Sequence, residues 1–172
     1  MASEAQTPFD QAMLQAFNYL SFRARSVNEM ERYLRRKGHA PETVRDVIQR
    51  LIDLHYLDDA TFALGWVDSR RRAGGRGPHL LRSELAQKGV PRETADRAIA
   101  DAAGDQEESA LVLARKRAPT LHAADYQGFS RKLGGYLSRR GFSANVVWAT
   151  VKRVWRETHG EDDGARDQDD GA

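Results

Sequence analysis

At 172 residues with 40% hydrophobic side chains, the chain has no apolar run long enough to span a bilayer, and its lack of cysteine excludes disulfides, thiolate catalysis and Cys-based zinc sites. The net charge of +2 conceals a division: residues 157–172 hold seven acids and one base, which leaves 26 bases against 18 acids, or +8, in residues 1–156. Such a body suits a polyanion or an acidic protein surface, and its arginine bias favours forked contacts to phosphate or carboxylate.

Nearly every segment reads as helix, and strand alternation is absent. Thr7-Pro8 opens the first helix, and Met13, Phe17 and Leu20 form its buried stripe. Ser26-Val27-Asn28-Glu29 is a capping box that starts a second helix running to Lys37, where Gly38 ends it in the left-handed conformation. Pro41-Glu42 begins a third helix with Val44, Val47, Ile48, Leu51 and Ile52 on one face. Asp58-Asp59 caps a fourth, carrying Phe62, Trp66 and Val67. Pro78 opens a fifth that Gly89 closes, and Pro91-Arg92-Glu93 starts a sixth with Ala95, Ala98, Ile99 and Ala102 inward. Residues 102–105 are the expected linker. Leu111 and Leu113 mark a seventh helix, an eighth lies within 123–140 and ends at Gly141, and Ser143 caps a ninth bearing Val147, Val151, Val154 and Trp155.

These nine elements are one pattern written three times. Leu34-x-x-Lys37-Gly38, Leu85-x-x-Lys88-Gly89 and Leu137-x-x-Arg140-Gly141 recur at 51 and 52 residues. Met30, Leu81 and Leu133 each stand four places before the leucine, and the following runs match in register as Val44/Val47/Ile48, Ala95/Ala98/Ile99 and Val147/Thr150/Val151. A unit repeated this way makes an extended surface rather than a single pocket. The expected fold is all-α: three tandem three-helix repeats over residues 1–56, 57–103 and 104–158, followed by an acidic, disordered tail at 159–172.

The ordered motifs resemble the RecX family of regulatory proteins. The first unit offers Tyr19-Leu20-Ser21-x-Arg23-x-Arg25-Ser26, Met30-Glu31 and Leu34-x-x-Lys37-Gly38. The second offers Leu57-Asp58-Asp59, Phe62-Ala63, Trp66-Val67, Arg70, Gly75-Arg76-Gly77-Pro78 and Leu85-x-x-Lys88-Gly89-Val90. The likeness covers roughly residues 12–156. It implies an elongated, curved all-helical molecule that binds the RecA recombinase, above all its filament on single-stranded DNA. It also implies restraint of strand exchange, ATP hydrolysis and coprotease activity, without catalysis by the regulator itself. Arg140 in place of a lysine and Phe142 after the glycine set the third unit apart, and the acidic tail matches no family feature.

Candidate binding residues follow from charge. Arg70-Arg71-Arg72-Ala73-Gly74-Gly75-Arg76 places four arginines at a helix end and in a glycine-rich, mobile loop, more than a helix dipole requires. Arg35, Arg36 and Lys37, and Arg139 and Arg140, hold equivalent places in the outer units, and their bland reading is a solvated helix end. The Leu-x-x-Lys/Arg-Gly turn has a structural reading too: leucine packs, the cation complements the helix dipole and glycine caps. Asp58-Asp59 reads as a cap rather than a metal pair, Trp66 as core, and Trp148 as partly exposed. Five scattered histidines at no metal-ligand spacing, and no nucleophile or phosphate-loop pattern, argue against an enzyme and leave no cofactor to expect. The expected partners are therefore the RecA filament and DNA phosphates, met by a cytoplasmic monomer with no leader and no membrane contact. A helix-turn-helix transcription factor stays open as the alternative, although Glu42, Asp46, Glu93 and Asp96 put acids on the helices that would enter a groove.

Overall fold

The structure, a computed structural model, describes residues 7–72, 75–101 and 106–160. Among these residues there are nine α-helices, one 3-10 turn at Ala118–Thr120 and no strand. The helices are α1 Pro8–Leu20, α2 Val27–Arg36, α3 Pro41–Asp53, α4 Asp59–Arg72, α5 Pro78–Gln87, α6 Arg92–Asp101, α7 Gln106–Arg117, α8 Tyr126–Arg139 and α9 Ala144–His159. No described helix is long and apolar enough to cross a membrane. The expected linker at 102–105 and the acidic tail from residue 161 onward lie outside the described residues.

Local chemistry sets most helix starts. Thr7 accepts from the Asp10 backbone N–H at 3.1 Å while Asp10 accepts from the Thr7 N–H at 3.1 Å, and Ser26 and Glu29 make the same reciprocal pair. Asp58 caps α4, accepting from the backbone of Ala60 and Thr61. Asp59 departs from the expected cap. It reaches away from its own helix and accepts the Val27 N–H at 2.9 Å, a donor that the first turn of α2 leaves without an intrahelical partner. Ser143 also departs: it occupies the N-cap position of α9 with extended backbone, but its side chain makes no capping bond.

The chain divides into two compact units, residues 1–69 with 82–102, and residues 70–81 with 103–172. In the first unit α1, α2 and α3 pack around Ala12, Ala16, Met30, Leu34, Val44, Val47, Leu51 and Leu57. In the second, α7, α8 and α9 close over Leu111, Phe129, Leu133, Leu137, Val151 and Trp155. Two helices of the central repeat are divided between the units, α4 after Ser69 and α5 after Leu81, while α6 belongs wholly to the first.

Candidate functional site

The three Leu-x-x-Lys/Arg-Gly turns share one backbone solution. Gly38, Gly89 and Gly141 have φ of 87°, 76° and 85°, the left-handed region that glycine enters without a Cβ penalty. In the first unit, the turn after α5 is pressed onto the start of α2. The Ser26 hydroxyl donates to the Lys88 carbonyl at 2.6 Å, and a Cβ on Gly89 would lie 2.4 Å from Asn28. In the second unit, the turn after α8 is pressed onto the start of α5. Gly77 N–H donates to the Arg140 carbonyl at 2.7 Å and His79 N–H to the Gly141 carbonyl at 3.1 Å. Each joint sets the carbonyl-rich end of one middle helix against the N–H-rich end of another, which satisfies groups on both sides.

The first-unit joint carries a partly buried charge cluster that sequence reasoning missed. Glu29 accepts from Lys88 Nζ at 2.9 Å and from both Arg23 guanidinium nitrogens at 2.9 and 3.0 Å. Burial works to raise its pKa, but the hydrogen bonds from Arg23 and Lys88 hold it down at about 2. Lys88 Nζ also stands 5.0 Å from the centre of the Trp66 ring, and the Trp66 indole N–H donates to Glu84 at 2.9 Å. Trp66 is thus half-buried and hydrogen-bonded. Beside it, Asp59 is pushed up by burial, while its neighbour Asp58 is held down by the Thr61 hydroxyl and by backbone N–H groups. The capping box was the available signal for Glu29, but it pointed only to its own helix.

Around the second-unit joint the structure gathers two of the three basic clusters. Arg71 and Arg72 are exposed at the end of α4, whereas Arg70 and Arg76 are half-buried. Arg76 immediately precedes the glycine bonded to Arg140, so its loop and the Arg139–Arg140 turn are joined through the backbone. The described part of that loop packs on α7: Gly75 (φ 55°) lies so close to Leu113 that a Cβ would fall 2.5 Å from its Cδ1. Ala73 and Gly74 lie outside the described residues. A groove of about 450 Å³ runs between Arg71, Arg72 and Gly75 on one side and Glu108, Val112 and Lys116 on the other. Arg140 and Arg117 both stand against the Tyr136 ring, at 5.2 and 5.7 Å from its centre. Trp148 is 63% exposed on α9 with Lys152 Nζ 5.0 Å from its ring centre.

Arg35, Arg36 and Lys37 belong to the other unit, at the exposed end of α2. Arg35 pairs with Glu31 at 2.6 Å and Lys37 Nζ lies 5.6 Å from the Tyr33 ring centre. Of the three repeat cations, then, Lys88 is built into the fold, and Lys37 and Arg140 rest on the tyrosine four residues before them. Among the described residues no His, Asp or Glu cluster could hold a metal ion.

Comparison with known proteins agrees with this layout. Three family models match in order: the RecX first three-helix domain at residues 12–51, the second at 58–99 and the third at 105–151. The chain is 36% identical to "Regulatory protein RecX" of Amycolatopsis mediterranei over 82% of this chain and 81% of the relative. It is 36% identical to the protein of that name in Prosthecochloris aestuarii over 83% and 93%. The match to the Bacillus licheniformis protein, at 32% identity, spans 87% of this chain but 56% of that longer relative. The crystal structure of RecX from Lactobacillus salivarius superposes with a TM-score of 0.80 at 25% identity, covering 86% of this chain and 96% of that one. All three matched domains fall on the triplicated helical unit that the Leu-x-x-Lys/Arg-Gly turns close, and the chain belongs to the RecX family.

Proposed function

We propose that this chain binds the RecA recombinase in its filament on single-stranded DNA and restrains strand exchange, ATP hydrolysis and coprotease activity, so modulating DNA repair and the SOS response. It acts in the cytoplasm as a monomer, without catalysis of its own. The observation that carries the reading is the basic surface of the second unit, where the Arg70–Arg76 segment meets the Arg139–Arg140 turn. Arg71 and Arg72 stand there beside Lys116, with guanidiniums able to grip carboxylates or phosphates in forked fashion. Repeated modules make several weak contacts along a polymer, and their sum is strong because each contact raises the effective concentration of the next. The acids on the helices after Gly38 and Gly89 support this reading over a major-groove reader: Glu93 is exposed and Asp96 is tied to Arg82 at 2.6 Å.

The test replaces Arg70, Arg71, Arg72 and Arg76 by Ala. Filament binding and inhibition of strand exchange fall by at least about tenfold while helicity is retained, and the salt dependence of binding becomes shallower. Inhibition at the wild-type level by that variant removes these arginines from the site. Titration against the recombinase ATPase then separates modes, since effects at low ratios indicate end capping and stoichiometric effects indicate coating.

A further inference from the structure

The glycine that ends each middle helix has different surroundings in each repeat. A Cβ on Gly89 would strike Asn28 at 2.4 Å, and one on Gly141 would strike the backbone nitrogen of Leu80 at 2.4 Å. Gly38 has the same left-handed backbone, yet among the described residues nothing stands within 4 Å of its Cβ position. The turn at the end of α2 is therefore the open half of a joint that the chain closes twice elsewhere.

The joint at Lys88 shows what that half accepts. There the incoming helix start supplies a hydroxyl N-cap, Ser26, which donates to the Lys88 carbonyl, and an acid three residues on, Glu29, which receives the Lys88 ammonium. Lys37 holds the place of Lys88 but is exposed, with exposed Arg35 and Arg36 beside it. The open half thus presents a helix C-terminus surrounded by cations, complementary to a helix N-terminus that carries an acid.

We infer that the end of α2, at Lys37-Gly38, receives the first turn of a partner helix that begins with a hydroxyl N-cap and has Asp or Glu three residues later. This rests on the function proposed above, which makes a recombinase protomer of the filament the source of that helix. A second copy of this chain is the competing occupant: its Ser26–Glu29 start is already covered by Lys88 and Gly89, but its Thr7–Asp10 start has the same hydroxyl cap and acid. A free chain that sediments as a dimer, and as a monomer once Lys37→Glu is introduced, overturns the filament as the source of the helix.

The test measures binding of the full chain to the recombinase filament on single-stranded DNA, for wild type, Lys37→Glu and Gly38→Asn. Asparagine tolerates left-handed backbone, so Gly38→Asn adds a side chain to the open joint with little strain. Each variant binds about tenfold more weakly with an unchanged melting temperature, and Arg45→Glu, an exposed cation of α3, changes binding less than about twofold. Wild-type affinity in both variants overturns the inference while leaving the proposed function standing. A wild-type chain that ignores the filament overturns the proposed function, and the choice of partner with it.

Discussion

The two closed joints solve one problem with different chemistry. At α2 the helix start is Ser-Val-Asn-Glu, and side chains do the joining: a hydroxyl to a carbonyl at 2.6 Å and a carboxylate to two cations. At α5 the start is Gly-Pro-His-Leu, and the joint is backbone to backbone, with Gly77 and Gly141 so close that a Cβ on Gly77 would lie 2.3 Å from the Gly141 carbonyl group. A joint made by side chains can yield when one of them changes. A joint made by backbone cannot, because there is no flexible atom to move aside.

The sharpest way to break this contrast is Gly141→Ala. The new methyl meets Leu80 backbone and also forces a left-handed alanine, so thermal unfolding followed by circular dichroism shows a loss of about 4 kcal/mol, confined to the second unit. Gly77→Ala costs nearly as much for the first reason alone. Gly89→Ala is milder, about 2 kcal/mol, since the obstructing group is the Asn28 side chain. Adding Asn28→Ala recovers the steric part and leaves roughly 1 kcal/mol for the backbone, which a double-mutant cycle reads directly. Recovery by Asn28→Ala is the result that distinguishes a side-chain joint from a backbone one.

Glu29→Gln removes the charge at the first joint and lowers stability by about 1–2 kcal/mol at neutral pH. Its pH signature follows from linkage. The folded carboxyl titrates at about 2 against an unfolded value near ~4.3, so the unfolded chain binds more protons in that window. Stability from Glu29 is present above about pH 4.3 and is lost as pH falls toward 2, and Glu29→Gln flattens that part of the acid limb. The raised pKa of Asp59 acts in the opposite direction, because acidification relieves its buried charge. Smallest of all is Gly38→Ala, with about 1 kcal/mol from its backbone conformation and nothing from packing. A loss as large as that of Gly89→Ala would mean that the end of α2 is not open.

Much of the fold was legible because its causes are local. The Ser26–Glu29 capping box, the prolines at the starts of α1, α3 and α5, and the left-handed glycines each act within four residues of themselves. The apolar stripes through Met30 and Leu34, and through Leu133 and Leu137, are equally local, and both pairs are fully buried. The candidate site was legible only as charge. Arg70–Arg76 and Arg139–Arg140 were visible as clusters, but nothing in their spacing announced that Gly75 packs on Leu113 or that Gly77 bonds to Arg140.

Sequence by itself determined the helices, their ends and their threefold recurrence, since each depends on hydrogen bonds and packing stripes that close over a few residues. Tertiary structure alone decided which repeat cation is tied into an ion cluster and which is exposed: Lys88 and Lys37 stand in the same motif, and only Lys88 meets a Glu29 that lies 59 residues away. It likewise decided that Asp59 serves α2 rather than α4 and that Gly141 is held against Leu80. Those contacts join residues far apart in the chain, and several of them end on backbone N–H or C=O groups that nearly every residue carries, so no local side-chain pattern announces them.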